Sequence, residues 1–265
     1  MEMDIQHLFG QLWQDYLKQC PSADKVHQLL GRGETIINDH VAFRTFRAPG
    51  LGIDNLAQHF LALGYEQKGE YQFEAKKLYA RHYEHPDSTQ PKVFISELKL
   101  EECSAQLQEI VASLVAQMPQ GLTQDVAHAY GGAPWKATQE QYRTLLEESE
   151  YAAWLAAFGF RANHFTVSVN HLSEFGTLES VNQALKEAGF DLNSSGGEIK
   201  GSPEVLLEQS STLADKVAVS FADGEMTIPA CFYEFALRYP MADGELYTGF
   251  VAASADKIFE STNVR

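Results

Sequence analysis

The sequence has few cysteines, and they lie far apart. Cys20, Cys103 and Cys231 are the three in 265 residues, and none belongs to a CxxC pair. This odd, widely spaced set excludes a disulfide framework and a cysteine-based zinc motif. It fits a reducing compartment, so we interpret the three thiols as buried apolar side chains and predict a cytoplasmic protein.

Long apolar runs are also missing. No stretch approaches the ~18 apolar residues that a membrane-spanning helix needs. Residues 1–20 are acidic and amphipathic, without the basic region and apolar stretch of a secretory signal. We therefore expect neither a membrane anchor nor secretion.

Basic residues are scarce relative to acidic ones. The chain has 20 Lys and Arg against 36 Asp and Glu, which gives a formal net charge of -16. A field of this sign repels phosphate backbones, so we expect no nucleic-acid partner. A small anionic ligand would need a local cationic pocket. With 45% hydrophobic and 11% aromatic residues, the chain can build a packed core, and disorder is excluded.

Two halves of the chain show the same order of predicted elements. The first half is predicted to contain a strand at 40–46, a helix at 53–63, and strands at 78–85 and 92–100. The second half is predicted to contain a strand at 163–169, a helix at 178–188, and strands at 216–224 and 230–239. Each helix ends at a glycine followed by an aromatic residue. We interpret the pattern as an internal repeat of βαβββ type, offset by about 124 residues.

The repeat predicts an α+β fold in a single domain over 1–265. Residues 1–100 hold N-terminal helices and the first module, 101–160 form a helical connection, and 161–265 form the second module. One module alone would leave a sheet face uncovered. We therefore expect the two modules to pair their sheets around a shared cavity.

Two histidines and one glutamate stand out on the predicted strands. His40 and His164 occupy equivalent positions in the repeat, and Glu234 lies inside an apolar run between Tyr233 and Phe235. A buried carboxylate without a partner is unfavourable, and a metal or an arginine would resolve it. Two imidazoles and a carboxylate on a rigid sheet are the ligands of the facial triad that binds Fe(II) and leaves positions open. The same three could hold Zn²⁺ with an activated water.

Three further charged residues accompany this set. Glu97 is a candidate fourth ligand, or it forms a salt bridge at the end of its strand beside Lys99. Arg44 follows His40 by four residues on the same strand face, so its guanidinium could bind the far carboxylate of a ligand held at the metal. Arg238 stands in the same relation to Glu234, where a salt bridge to an acidic side chain is the favoured interpretation. For Arg44 a salt bridge is the alternative.

The segments HVAFRTF, ANHFTVSV and FYEFALRY resemble motifs of the 2-oxoadipate dioxygenase/decarboxylase family, and the resemblance spans about residues 36–240. It implies a half-open barrel of paired βαβββ modules, similar to the vicinal-oxygen-chelate enzymes, with additional helices. It implies Fe(II) bound by His40, His164 and Glu234, with Arg44 on a substrate carboxylate. It also implies conversion of 2-oxoadipate and O2 to 2-hydroxyglutarate and CO2, a step of lysine degradation.

Our first hypothesis is therefore a non-heme Fe(II) dioxygenase that decarboxylates 2-oxoadipate or a similar 2-oxo acid. A second is a Zn²⁺- or Ni²⁺-dependent lyase, isomerase or hydrolase on the same scaffold. A third is a non-catalytic module that sequesters a small ligand. Glu97 discriminates between the first two, because four protein ligands favour glyoxalase-like chemistry and three favour oxygen chemistry. Fold alone cannot decide.

Overall fold

The computed structural model describes residues 4–262, and it begins with two amphipathic helices. Helix α1 (Ile5–Gln19) starts where the Asp4 side chain accepts a hydrogen bond from the backbone N–H of His7. Its buried residues Leu8, Leu12 and Tyr16 recur every four positions and so form one face. Helix α2 (Ser22–Gly31) ends at Arg32, which adopts the left-handed conformation at φ 47°.

The first module has the predicted βαβββ order. Its elements are β1 (Asn38–Arg47), α3 (Ile53–Leu61), β2 (Glu66–Phe73), β3 (Leu78–Glu84) and β4 (Lys92–Lys99). Their order in the sheet is β2-β3-β4-β1, with β1 and β4 parallel. Strand β2 was not predicted as a strand, because it lies at the sheet edge and only its last residue, Phe73, is buried.

Three helices connect the modules, as the predicted helical segment requires. They are α4 (Ala105–Val115), α5 (Gln139–Glu148) and α6 (Glu150–Phe158). Helix α5 begins with a capping box in which the side chains of Thr138 and Gln141 bond each other's backbone N–H groups. Helix α6 is apolar and almost fully buried, and it places Tyr151 and Trp154 beneath the sheet.

The second module repeats the order and contains an insertion. Its elements are β5 (Ala162–Ser168), α7 (Leu178–Glu187), β6 (Lys200–Ser202), β7 (Leu207–Ser211), β8 (Lys216–Phe221), β9 (Gly224–Pro229) and β10 (Phe232–Arg238), followed by α8 (Ala252–Ile258). The prediction that 216–224 forms a strand of this module was wrong. Strand β8 pairs only with β9 in a separate two-stranded sheet. Its more buried residues, all apolar, alternate with exposed ones, and the buried Phe221 packs on Tyr142 of α5, so the pattern imitates that of a module strand.

The strands that take this place, β6 and β7, were not predicted from the sequence. Strand β6 has three residues and lies at the sheet edge. Strand β7 is mostly polar, and yet nearly all of it is buried. A short edge strand and a buried polar strand both lack the apolar alternation on which strand prediction depends.

The two modules form one eight-stranded sheet that curls into a half-barrel. The strand order is β2-β3-β4-β1-β5-β10-β7-β6. At the centre, antiparallel β1 and β5 pair His40 with Thr166 and Ala42 with His164. These two pairs are exchanged by a local two-fold axis, which makes His40 equivalent to His164 at an offset of 124 residues.

The three cysteines are buried free thiols, as predicted. Burial raises the pKa of the Cys20 thiol to about 12, which agrees with an apolar role for this side chain. Within residues 4–262, no helix has both the length and the apolar character required to cross a membrane.

Candidate metal centre

The concave face of the sheet brings together His40, His164 and Glu234. They lie on β1, β5 and β10, three neighbouring strands, and each has one ligand atom within 4.8 Å of the others. All three are buried, with exposed fractions of 2%, 5% and 1%. Residues that are 124 and 70 positions apart in the chain thus form one cluster.

The residue before each histidine orients the imidazole ring. The Nδ1 of His40 lies 2.8 Å from Oδ1 of Asp39, and the Nδ1 of His164 lies 2.9 Å from Oδ1 of Asn163. Because an ionised carboxylate and an amide oxygen only accept, each Nδ1 is the protonated nitrogen. Each Nε2 is therefore the unprotonated nitrogen and faces the centre of the cluster, as in a metal-ligating histidine. The hydroxyl of Thr166 lies 3.1 Å from Nε2 of His40 and can donate to it.

The carboxylate of Glu234 faces both of these nitrogens. Its Oε1 lies 3.5 Å from Nε2 of His40, and its Oε2 lies 3.0 Å from Nε2 of His164. Gln209 donates to Oε1 at 2.6 Å, whereas Oε2 is buried without a hydrogen-bond donor among the described residues. Lone pairs aimed at a buried carboxylate repel one another unless a positive charge lies between them. The donor set of two imidazole nitrogens and one carboxylate oxygen therefore fits a divalent transition metal.

The surroundings favour the neutral form of His164 and the ionised form of Glu234, which are the forms that metal binding requires. Burial lowers the pKa of His164, which keeps its ring neutral near pH 7. Burial alone would raise the pKa of Glu234, but that pKa is held below its ordinary value, and the hydrogen bond from Gln209 is one of the contacts that lower it. Burial alone would also raise the pKa of Asp39. The charge of Arg238 and the hydrogen bond from His40 outweigh burial and hold the pKa of Asp39 well below its usual range.

A small cavity of about 20 Å³ adjoins the cluster. Its walls are mostly apolar, and its lining includes Phe94, Phe250, Ile258 and Phe259. Helix α8 and the turn after it contribute Ala255, Ile258 and Phe259 to this lining. The cavity therefore combines three candidate ligands, an apolar wall and one buried arginine.

That arginine is Arg44, which is 1% exposed. Its Nη1 donates to Oε1 of Glu150 at 3.1 Å, and its Nη2 donates to the hydroxyl of Thr262 at 3.2 Å. Its Nε is buried and has no acceptor among residues 4–262. The guanidinium lies over the rings of Tyr151 and Trp154. The salt bridge that was the alternative for Arg44 is therefore present, and the side chain also lines the cavity.

Glu97 lies outside the cluster. Its side chain faces the other side of the sheet, where it accepts from Nε of Arg47 at 2.7 Å and from the backbone N–H of Ile53 at 3.0 Å. The local two-fold axis also assigns Glu234 a counterpart in the first module, and it is not Glu97. Since Glu234 pairs with Thr166, and Phe94 pairs with Ala42, the equivalent of Glu234 in the first module is Phe94. Glu97 is therefore no fourth ligand in this structure.

Arg238 forms the salt bridge that the sequence favoured, and its partner is Asp39. Asp39, Asn163 and Gln209 were not singled out from the sequence. The first two could have been found, because an acid or amide precedes each histidine of the repeat. Gln209 gave no signal, since its strand was not predicted.

The sequence is similar to known dioxygenases over nearly its whole length. A sequence model of the 2-oxoadipate dioxygenase/decarboxylase family matches residues 4–245. The chloroplastic 2-oxoadipate dioxygenase/decarboxylase of Arabidopsis thaliana is 36% identical over 289 residues, which cover 98% of this chain and 78% of that protein.

The fold of this chain is also similar to that of several solved structures. A hydroxyglutarate synthase from Oryza sativa, in complex with 2-oxoadipate, has a TM-score of 0.91 at 35% identity, covering 96% of this chain and 90% of that one. A Shewanella frigidimarina protein, provisionally named a hydrolase, has a TM-score of 0.92 at 60% identity, covering 96% and 100%. A Ralstonia eutropha protein provisionally assigned to the glyoxalase superfamily has a TM-score of 0.75 at 23% identity, covering 93% and 85%. The last likeness confirms the predicted fold class of paired modules.

Proposed function

The chain belongs to the 2-oxoadipate dioxygenase/decarboxylase family, and on this premise we propose a non-heme Fe(II) enzyme that converts 2-oxoadipate and O2 into 2-hydroxyglutarate and CO2. The observation that carries the proposal is the buried cluster of His40, His164 and Glu234. Their ligand atoms lie within 4.8 Å of one another, and Oε2 of Glu234 has no hydrogen-bond donor among the described residues. The reaction balances without a further reductant, because both oxygen atoms enter the products.

His40, His164 and Glu234 are the proposed ligands. When bound there, Fe(II) supplies redox chemistry with O2 and Lewis-acid activation of the 2-oxo acid. Three protein ligands leave coordination positions free for both reactants. The hydrogen bonds that the two histidines donate to Asp39 and Asn163, and the one that Glu234 accepts from Gln209, hold the three side chains in place before the metal arrives.

Arg44 is the proposed partner of the distal substrate carboxylate. It is on the same strand as His40 and lines the same cavity, and its buried Nε has an unused hydrogen. A protein with net charge -16 needs such a local cation to hold a dianion. A guanidinium can bind a carboxylate through two parallel hydrogen bonds, which also fixes the direction of the substrate.

The aromatic wall of the cavity is proposed to exclude water from the reaction. Phe94, Phe250 and Phe259 are each less than a tenth exposed. An apolar wall strengthens the interaction of Arg44 with a carboxylate because it lowers the local dielectric constant. The same apolar side chains can pack against the hydrocarbon part of the substrate, which needs no hydrogen-bond partner.

A metal-dependent lyase, isomerase or hydrolase would use the same ligands without O2. A fourth ligand from Glu97 would favour that class, but the Glu97 carboxylate instead binds Arg47 and the start of α3. The three-ligand arrangement supports oxygen chemistry. A cytoplasmic location and a place in lysine degradation stay predictions.

The test is anaerobic loading with Fe(II), followed by measurement of O2 consumption with a panel of 2-oxo acids. We expect 2-oxoadipate to give equal amounts of O2 consumed and CO2 released, with 2-hydroxyglutarate as product. The His164→Ala variant should bind no iron and consume no O2. Iron-loaded protein that consumes no O2 with any 2-oxo acid would refute the proposal, and turnover without O2 would favour the second class.

A further inference from the structure

A buried ion pair lies directly behind one of the two candidate histidine ligands. Arg238 donates from Nε to Oδ2 of Asp39 at 2.6 Å and from Nη2 to Oδ1 at 2.9 Å. The same Oδ1 accepts from Nδ1 of His40 at 2.8 Å. Arg238 and Asp39 are both nearly inaccessible, with side chains 3% and 4% exposed. The ring of His40 is therefore held by a carboxylate whose own position depends on Arg238.

The remaining donor group of Arg238 holds a different part of the molecule. Its Nη1 donates to the backbone carbonyls of Tyr247 and Gly249 at 2.9 and 2.8 Å. These residues belong to the segment 247–250, which we call the cover segment. Arg238 thus uses one side of its guanidinium for Asp39 and the other for the cover segment, and its planar fork fixes the angle between them.

The cover segment also touches His40 directly. The ring of Phe250 lies 4.8 Å from the His40 ring, edge to face, and it lines the cavity. The guanidinium of Arg238 lies over the ring of Phe250, 5.2 Å from its centroid. The backbone N–H of Phe250 is held by the hydroxyl of Tyr71 at 3.1 Å. One phenylalanine therefore contacts both the candidate ligand and the arginine.

The other histidine has no such connection. His164 is oriented by Asn163, a neutral side chain. The Nδ2 of Asn163 has no acceptor among the described residues, so this amide joins His164 to nothing further. A neutral amide is therefore enough to orient a histidine ring. The ion pair between Asp39 and Arg238 is not needed for orientation alone, so the contacts of Arg238 must have another role.

We propose that Arg238 is a positioning residue that joins His40, through Asp39, to the cover segment, so that metal binding and closure of the cavity wall stabilise each other. The inference rests on the proposed metal role of His40. Because coupling between two sites is reciprocal, bound metal must stabilise the cover segment as much as the closed segment favours the metal. A coupling of this kind is commonly worth a factor of about 5 to 150 in an equilibrium constant.

The first experiment uses the unmodified protein and hydrogen exchange. Peptides covering the cover segment are compared without metal and with saturating Co²⁺. The amides of Tyr247 and Phe250, which are both hydrogen-bonded, should exchange at least about fivefold more slowly with Co²⁺. The β8–β9 hairpin at 216–229 lines no part of this cavity and serves as the reference whose exchange should not change.

The second experiment measures Co²⁺ affinity by titration in three variants. Arg238→Met should weaken binding about 10- to 100-fold, the range known for partners of metal ligands, and Arg238→Lys should recover only part of it because lysine lacks the fork. Arg161→Met is the matched control. Arg161 also combines a carboxylate partner, Asp15, with a backbone carbonyl, that of Phe158, but it lies away from the cavity, so its loss should leave affinity unchanged.

The outcomes separate this inference from the proposed function. Bound Co²⁺ without added protection of the cover segment would overturn the coupling and leave the metal site standing. The coupling would equally be overturned if folded Arg238→Met bound Co²⁺ as tightly as the wild type. If Arg238→Met does not fold, the exchange of the unmodified protein decides alone. Failure of the wild type to bind Co²⁺ or Fe(II) would overturn both proposals.

Discussion

The two modules have one backbone plan but differ at the positions that face the cavity. Both place a histidine at the same point of their first strand, His40 in one and His164 in the other. Where the second module has Glu234, the first has Phe94. The repeat thus supplies two equal imidazoles, and its departure from symmetry supplies a single carboxylate. A symmetric copy of Glu234 would add a second negative charge and close a coordination position.

The two modules also differ further along their first strands, β1 and β5. Two residues beyond the equivalent pair Ala42 and Thr166, the first module has Arg44 and the second has Ser168. At this pair of positions only the first module has a cation, which under the proposed function would give a substrate with two carboxylates a single direction of binding. Each asymmetric position can be tested by giving it the residue of its counterpart.

The largest effect is expected from Glu234→Phe, which copies Phe94. Two histidines alone should not retain the metal, so Co²⁺ or Fe(II) binding and O2 consumption should both be lost. The metal-free variant should unfold at the same temperature as the wild type or higher, because an apolar residue replaces a buried charge. Retained stoichiometric metal in this variant would show that Glu234 is not a ligand.

The next effect is expected from Arg44→Ser, which copies Ser168. Loss of hydrogen bonds from a charged donor is worth about 1.5–3 kcal/mol, so kcat/KM for 2-oxoadipate should fall roughly 10- to 150-fold. The control substrate is 2-oxohexanoate, which has a methyl group in place of the distal carboxylate, and its kcat/KM should hardly change. An equal loss for both substrates would mean that Arg44 supports the fold through Glu150 and Thr262 and does not recognise a carboxylate.

A smaller effect is expected from Gln209→Ala. The strand registers make Ala80 the counterpart of Gln209, so this change also copies the first module. Loss of the 2.6 Å hydrogen bond to Glu234 should lower metal affinity about tenfold, at the low end of the range for partners of metal ligands. An unchanged affinity in a titration with Co²⁺ would remove Gln209 from this role.

The smallest effect is expected from Asp39→Asn, which copies Asn163. An amide oxygen can still accept from Nδ1 of His40, and the difference between a charged and a neutral acceptor is about 1 kcal/mol, or about fivefold in metal affinity. Because the pKa of Asp39 is held well below its ordinary 3.8, its carboxylate stabilises the fold above pH 3.8, and this contribution is lost as the pH falls further. The gap in Tm between wild type and variant should therefore narrow only below about pH 3.8. A gap that narrows between pH 7 and 5 would contradict this assignment.

Much of the fold was predictable because the central strands repeat their pattern. β1 and β5 both begin near a histidine and continue with buried apolar residues, and β10 carries Glu234 inside an apolar run. The edge strands were not predictable, because β2 is mostly exposed and β6 has three residues. The hairpin at 216–229 shows the opposite error. Its strand β8 has apolar alternation and was predicted to belong to the module, but it pairs only with β9, outside the main sheet.

The sequence allowed us to predict that the three candidate metal ligands lie close together. It did not allow us to predict the side chains that hold them in place. Alternation along a strand indicates that His40 and Arg44 share a face, and the repeat brings His164 to the same place. The pairing of Arg44 with Glu150 joins residues 106 apart, and that of Arg238 with Asp39 joins residues 199 apart. Such contacts depend on how α6 and the end of β10 pack. Local sequence pattern contains no information about that packing.

The most direct test of the central claim is anomalous X-ray diffraction from crystals of the Fe(II)-loaded protein, recorded at the iron absorption edge. One strong peak is expected at about 2.0–2.2 Å from Nε2 of His40, Nε2 of His164 and a carboxylate oxygen of Glu234, with the remaining positions open to the cavity beside Arg44. A peak bound by other side chains, a fourth protein ligand, or no peak at this point in iron-loaded crystals would contradict the claim.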